Sequence, residues 1–149
     1  EQGMTTYLSG NSDLASQIRP TAHANLFVVP AGLVAPNPAE LIGSKRMAAA
    51  LQLVSENFTY VVFDTPPALA ISDALILSPR VDGVILVARG GQTPRKALQR
   101  AGAQVLAVGG KLLGVLINDV DLEGTAYGYG GYYGYYDKYF DAAADHEKT

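Results

Sequence analysis

The chain has 149 residues, 48% of them hydrophobic and 17% charged, with a formal net charge of -3. That balance suits one compact α/β domain, or a large piece of one, and gives no electrostatic case for nucleic acid or an anionic membrane surface. Cysteine is absent, which excludes disulfides and thiolate metal sites and fits a reducing cytoplasm.

His23 and His146 lie too far apart in the sequence to suggest a metal cluster. No apolar run approaches the roughly 18 to 20 residues needed to span a bilayer, and no signal peptide is visible. The chain opens Glu1-Gln2-Gly3 rather than with Met, so a fragment of a longer protein is expected.

In chain order, Gly3 to Ile18 reads as weak helix broken at Ser9-Gly10-Asn11, with Ser12 an N-cap for a short second turn carrying Leu14 and Ile18. Asn25 to Pro30 (NLFVVP) reads as the first strand, and Pro30-Ala31-Gly32 as the turn at its carboxyl end. Asn37, Pro38 and Glu40 form a helix start: cap, first-turn proline, and an acid able to reach back. Leu41, Met47, Ala48, Leu51 and Val54 then recur at helical spacing to about Ser55, while Lys45 and Arg46 face water.

Tyr60-Val61-Val62-Phe63 is an unbroken apolar run ending in a lone carboxylate, Asp64, then Thr65-Pro66-Pro67. Such a run suits a strand buried on both faces of a parallel sheet. The prolines stop it, because they cannot donate ladder hydrogen bonds. Ser72 and Asp73 start a short helix through Leu77 that must end by Ser78, ahead of Pro79. Val84 to Ala88 is the third strand. Thr93 and Pro94 start a helix with a stripe of Leu98, Ala101, Val105 and Val108, stopped by Gly109-Gly110. Leu112 to Ile117 is the last strand, ending in Asn118-Asp119. Strands alternating with helices imply a mainly parallel sheet with helices on its faces and right-handed crossovers.

In a parallel sheet all carboxyl ends share one edge, where open α/β folds bind ligands. Here that edge would carry Pro30 to Gly32, Asp64-Thr65, Arg89 to Gly91 and Asn118-Asp119. A carboxylate can hold Mg²⁺ or its water, an amide can read a base edge, and glycines let backbone approach a ligand. The competing reading is that Asp64 simply caps a turn. No G-x-x-x-x-G-K-[ST] loop occurs in the chain, so these residues hold no phosphate cradle.

Tyr127 to Tyr139 reads YGYGGYYGYYDKY and holds every tyrosine except Tyr7 and Tyr60. Without hydrophobic periodicity and rich in glycine, residues 123–149 are expected to form a flexible tail separate from a domain over 1–122. Phosphorylation there would add about -1.5 to -2 charge per site.

Taken together, GMTTYLSG (Gly3 to Gly10), LFVVPAG (Leu26 to Gly32), PNPAELIGSKRM (Pro36 to Met47), YVVFDTPPAL (Tyr60 to Leu69), SDALIL, DGVILVAR, LLGVLIND and the tyrosine-rich end resemble the bacterial tyrosine kinases of capsule and exopolysaccharide synthesis, relatives of the MinD and ParA deviant-Walker ATPases. The resemblance implies the carboxyl-terminal part of a cytoplasmic P-loop domain that transfers phosphoryl from ATP, with Mg²⁺, to its own tail across a homo-oligomeric ring. It also implies work at the inner face of the plasma membrane with a membrane co-polymerase or activator. Asp64 is similar to the Walker B acid, and Asn118 to an adenine-reading amide. Tyr127, Tyr129, Tyr132, Tyr133, Tyr135, Tyr136 and Tyr139 look like phosphoacceptors. The family's Walker A and A′ motifs and its upstream Glu/Arg oligomerisation motif have no counterpart here, so the chain alone is expected to bind ATP weakly or not at all. The alternatives are a non-catalytic MinD-like scaffold, and a ParA-type ATPase that leaves the tyrosines without a role.

Overall fold

The computed structural model describes residues 2–120; the tyrosine cluster and the expected tail lie outside the described residues. The chain opens with helix α1 (Met4–Leu8), whose start is seated on the turn after the second strand segment. Met4 and Thr5 donate their backbone N–H groups to the carbonyls of Pro30 (2.7 Å) and Ala31 (2.9 Å). Gly3 permits this approach, because a Cβ there would sit 2.3 Å from the Pro30 carbonyl oxygen. Gly10, at φ 85, turns the chain out of the helix as the Ser9-Gly10-Asn11 break anticipated. A single 3₁₀ turn (Ala15–Gln17) then follows the buried Leu14.

The first departure from the sequence reading comes next. NLFVVP was expected to join a parallel sheet. Only Phe27–Val28 is paired (β2), antiparallel to Arg19–Pro20 (β1), across a turn in which Leu26 N–H donates to the His23 carbonyl. The turn at Thr21 to Asn25 brings the two segments back on themselves, so the nearest pairing partner wins over a distant one.

The helix expected from Pro38 to Ser55 is two helices, α2 (Pro38–Gly43) and α3 (Lys45–Asn57). Ser44 breaks the run with extended backbone, and its hydroxyl accepts from the Met47 N–H (3.2 Å), which makes it the N-cap of α3. At the start of α2 the Asn37 and Glu40 side chains bond to each other rather than to backbone. Arg80 closes the other end: its guanidinium donates to the carbonyls of Ile42 (3.0 Å) and Gly43 (3.1 Å). Those are carbonyls that the helix itself leaves without partners.

The run Tyr60 to Phe63 is the largest difference. It has no ladder partner among the described residues, and it is not buried on both faces. Tyr60 is 88% and Val62 90% exposed, whereas Val61 is 40% exposed and Phe63 packs against the helical core. The two-residue alternation of a strand is therefore present without the sheet around it. Nothing among the described residues covers the face that carries Tyr60 and Val62.

Helix α4 (Asp73–Leu77) ends ahead of Pro79 as expected and passes into a 3₁₀ turn, Ser78–Arg80. Strand β3 (Val84–Arg89) then pairs in parallel with β4 (Leu112–Asn118), joined by α5 (Arg95–Ala107). The stripe read on α5 is the packed one: Ala101 and Val105 are buried with Leu86, and Leu98 lies against them. The helix stops in a Schellman arrangement, with Gly109 at φ 82, Gly109 N–H on the Leu106 carbonyl (3.0 Å) and Gly110 N–H on that of Val105 (2.9 Å). Thr93, read as the cap of this helix, instead accepts from the Arg89 N–H (2.9 Å), and Pro94 takes the cap position.

Two apolar clusters result. One gathers Leu8, Leu14, Met47, Ala50 and Leu77; the other gathers Leu86, Ala101 and Val105. Helix α4 joins them, with Leu77 in the first and Leu75 against the second. The β3–β4 pair is covered on one side only. Ile85 (58%), Val87 (66%) and, opposite Val87 in the register, Leu116 (51%) remain exposed on the other, an apolar surface of the kind that marks a contact face.

Candidate functional site

The carboxyl ends of β3 and β4 come together as the sequence implied. Arg89 stands opposite Asn118 in the parallel register, and Gly90 N–H donates to the Asn118 carbonyl (2.7 Å). Arg89 Nη2 bonds Asp119 Oδ2 at 2.6 Å. Asp119 lies in the left-handed region, at φ 57, a conformation that Asp tolerates better than most residues. The bend lets the carboxylate face back toward Arg89, while the Asn118 side chain is left exposed and without a hydrogen-bond partner among the described residues. Gly90 admits this crossing, since a Cβ there would stand 3.0 Å from the Asp119 carbonyl and 3.1 Å from Val120 Cα.

Asp64 closes the Tyr60 to Phe63 run on the same side of the alternation as Tyr60 and Val62, and it too is exposed. It makes no hydrogen bond or ion pair with any described residue. A carboxylate that caps a turn accepts a backbone N–H; Asp64 accepts none. No group of three or more His, Asp or Glu side chains able to share a metal ion occurs among the described residues. A divalent cation here would therefore meet a single protein carboxylate and otherwise water or ligand oxygens, a mode natural to Mg²⁺.

Pro30 to Gly32, the remaining part of the expected rim, is engaged by α1. Thr5 adds its side chain to the contact, with Oγ1 donating to the Ala31 carbonyl (2.8 Å). The structure thus joins Arg89, Asn118 and Asp119 directly, and leaves Asp64 on the separate extended run. The Arg89–Asp119 pair escaped the sequence reading, which named both residues on the rim but not their bond. The bond occurs together with the bend at Asp119, which the sequence does not display. The seven candidate tyrosines, Tyr127, Tyr129, Tyr132, Tyr133, Tyr135, Tyr136 and Tyr139, lie outside the described residues. No helix among the described residues is long and apolar enough to cross a membrane.

No family model matches the chain. Curated proteins do. It is 36% identical over 137 residues to the tyrosine-protein kinase CpsD of Streptococcus agalactiae, covering 92% of this chain and 60% of that protein. It is 35% identical over 130 residues to the tyrosine-protein kinase YwqD of Bacillus subtilis, covering 87% of this chain and 55% of that protein. Among solved structures, the kinase domain of the Escherichia coli tyrosine kinase ETK superposes with a TM-score of 0.79 at 34% identity, covering 87% of this chain and 51% of that one. The chimerical protein CapA2B2 gives 0.76 at 29% identity, over 80% of this chain and 53% of its own. The chain thus spans little more than half the length of these relatives.

Proposed function

From the premise that this chain belongs to the bacterial tyrosine kinase family, we propose that the protein is an ATP-dependent tyrosine autokinase acting in capsule or exopolysaccharide polymerisation and export. The observation that carries the reading is Asp64: an exposed carboxylate ending an apolar extended run and bonded to nothing described around it. A turn-capping acid would be engaged with backbone; a Walker B acid is held ready for a cation.

Phosphoryl transfer asks little covalent chemistry of the protein and much positioning and charge stabilisation. In this reading Asp64 anchors Mg²⁺, directly or through water, and the bound ion supplies neutralisation of phosphate charge. The Asn118 amide, free at the rim, offers a donor and an acceptor to the edge of a purine base. Arg89 holds Asp119 and so fixes the backbone on which Asn118 sits. The chain's own sequence contains no phosphate-binding loop. The cradle for the β- and γ-phosphates is accordingly assigned to the part of the relatives that this chain does not match. By itself the chain then binds MgATP weakly or not at all.

The acceptors are Tyr127, Tyr129, Tyr132, Tyr133, Tyr135, Tyr136 and Tyr139, on a tail (123–149) that is distinct from the domain over 1–122. Transfer between copies in a homo-oligomeric ring is part of this reading, as the family resemblance implies. A membrane co-polymerase or activator places that ring at the inner face of the plasma membrane.

The test is direct. The protein in its full natural length is incubated with ATP and Mg²⁺, and the tail peptides are read by mass spectrometry. Phosphate is expected on Tyr127 to Tyr139, and Asp64→Asn should slow its appearance by about 10²- to 10³-fold. Tail phosphorylation that is absent from the natural protein, or undiminished in Asp64→Asn, overturns the reading; complete absence favours the scaffold alternative.

A further inference from the structure

Charge is segregated along this chain in a way that phosphoryl transfer does not require. Between Asp82 and Asp119 there is no acidic residue, yet the stretch carries Arg89, Arg95, Lys96, Arg100 and Lys111. Helix α5 contributes three of these and contains no acid. Arg95 and Lys96 occupy its first turn, where the helix field favours negative charge, and Lys96 and Arg100 stand one turn apart as a like-charged pair. Both placements are unfavourable without an anion nearby. Arg89, Arg95, Lys96 and Arg100 are all exposed, and only Arg89 has an ionic partner among the described residues.

The opposite charge follows immediately in the sequence. Residues 121–149 carry Asp121, Glu123, Asp137, Asp141, Asp145 and Glu147 against Lys138 and Lys148. The point of departure is also fixed. Because β3 and β4 are parallel, Val120 leaves the sheet at the edge where β3 hands over to α5. Gly90 and Val120 run close together: a Cβ at Gly90 would stand 3.1 Å from Val120 Cα. Lys96 is six residues on from Gly90 and Tyr127 seven on from Val120; an extended segment reaches about 3.3–3.6 Å per residue. The first tyrosines can therefore stand over the basic residues without any rearrangement of the body.

We infer that Arg95, Lys96 and Arg100 on α5, with Arg89 beside them, form a docking surface for the acidic tyrosine-bearing segment 121–149 of the same copy, and that phosphate on its tyrosines tightens the grip. Docking follows from fixed charges alone. Its response to phosphate rests on the kinase reading. Each phosphate adds about -1.5 to -2 charge and oxygens that a guanidinium can bind two at a time. A phosphorylated tail would thus be parked against its own body and withdrawn from neighbouring copies.

The test is zero-length carbodiimide cross-linking of the full-length natural protein, prepared as a mixture of ¹⁵N-labelled and unlabelled copies and read by mass spectrometry. Lys96 is expected to cross-link to tail carboxylates within chains of single isotopic composition. Lys111, at the far end of β4, and Lys45, on α3, serve as controls and should not. The Lys96 products should fall about threefold or more in Arg95→Glu/Arg100→Glu, and likewise at about 1 M salt, where screening is nearly complete at 3 Å. Phosphorylating the tail with an added tyrosine kinase should raise occupancy of the surface, read as salt resistance of the same products. Cross-links shared equally with Lys45 and Lys111, insensitive to charge reversal, or joining mainly heavy to light copies overturn the proposal. Because the first arm needs no activity from the protein, its failure leaves the kinase reading standing, and failure of the Asp64 experiment leaves the docking result standing.

Discussion

Arg89 and Asp119 meet at 2.6 Å across the carboxyl ends of two parallel strands, with 62% and 55% of their side chains exposed. So exposed a pair is screened by water and is worth at most about 1 kcal/mol. The backbone at Asp119 matters more than its charge, because φ is 57 there. Asp119→Asn, which keeps a side chain suited to that conformation, should change stability by less than about 1 kcal/mol. Asp119→Val should cost about 1–3 kcal/mol more, from a β-branched residue forced into the left-handed region. Urea unfolding of the two variants in the full-length protein separates the effects.

The seat of α1 depends on the absence of one methyl group. In Gly3→Ala the new carbon would meet the Pro30 carbonyl at 2.3 Å and Gly32 N at 2.6 Å, all rigid backbone. The helix start must lift away, with loss of the Met4 and Thr5 bonds to Pro30 and Ala31. A destabilisation of about 1–3 kcal/mol is expected. Hydrogen exchange at Met4 and Thr5 should accelerate before any change on α5.

Arg46, read from sequence as a residue facing water, is exposed and also acts as a clamp. Its Nε donates to the Tyr7 carbonyl (2.9 Å), Nη2 donates to that of Ser12 (3.3 Å), and its guanidinium stands 4.7 Å from the Tyr7 ring centre. Tyr7 returns its hydroxyl to the Arg46 carbonyl at 3.0 Å. Lysine cannot reproduce a planar fork that also stacks. Arg46→Lys should therefore cost about 1–2 kcal/mol, and Tyr7→Phe about 0.5–1.5 kcal/mol, in thermal or chemical unfolding.

Core and open face should answer differently to substitution. Met47 is 2% exposed among Leu8, Leu14 and Leu77, so Met47→Ala should cost about 2–5 kcal/mol. Val87 is 66% exposed, and in this chain Val87→Lys should stay within about 0.5 kcal/mol. The same substitution should lower binding of an apolar fluorescent dye. In a longer form that covers this face, it should instead become strongly destabilising.

Much of this arrangement was legible in the sequence, and the failures have more than one physical cause. Short-range devices read well: the proline after α4, the Gly109-Gly110 stop and the buried stripe of α5 all depend on residues within a turn or two. Ser44 was missed because a serine inside an apolar-periodic segment gives the same pattern whether it points to solvent or caps a new helix. The strand readings at Asn25 to Pro30 and Tyr60 to Phe63 rest on composition, which reports that a segment suits a sheet but not which segment stands beside it. At the site, the residue types on the rim were readable. The union of Arg89 with Asp119 was not, because it joins side chains at the ends of two strands, 30 residues apart. Asp64 could be named as a candidate because an acid closing an apolar run is visible without coordinates.

Phe63 pins the extended run to the helices while Tyr60 and Val62 on its other face wait uncovered. An incoming strand would find its template already immobilised and would surrender only its own freedom on pairing.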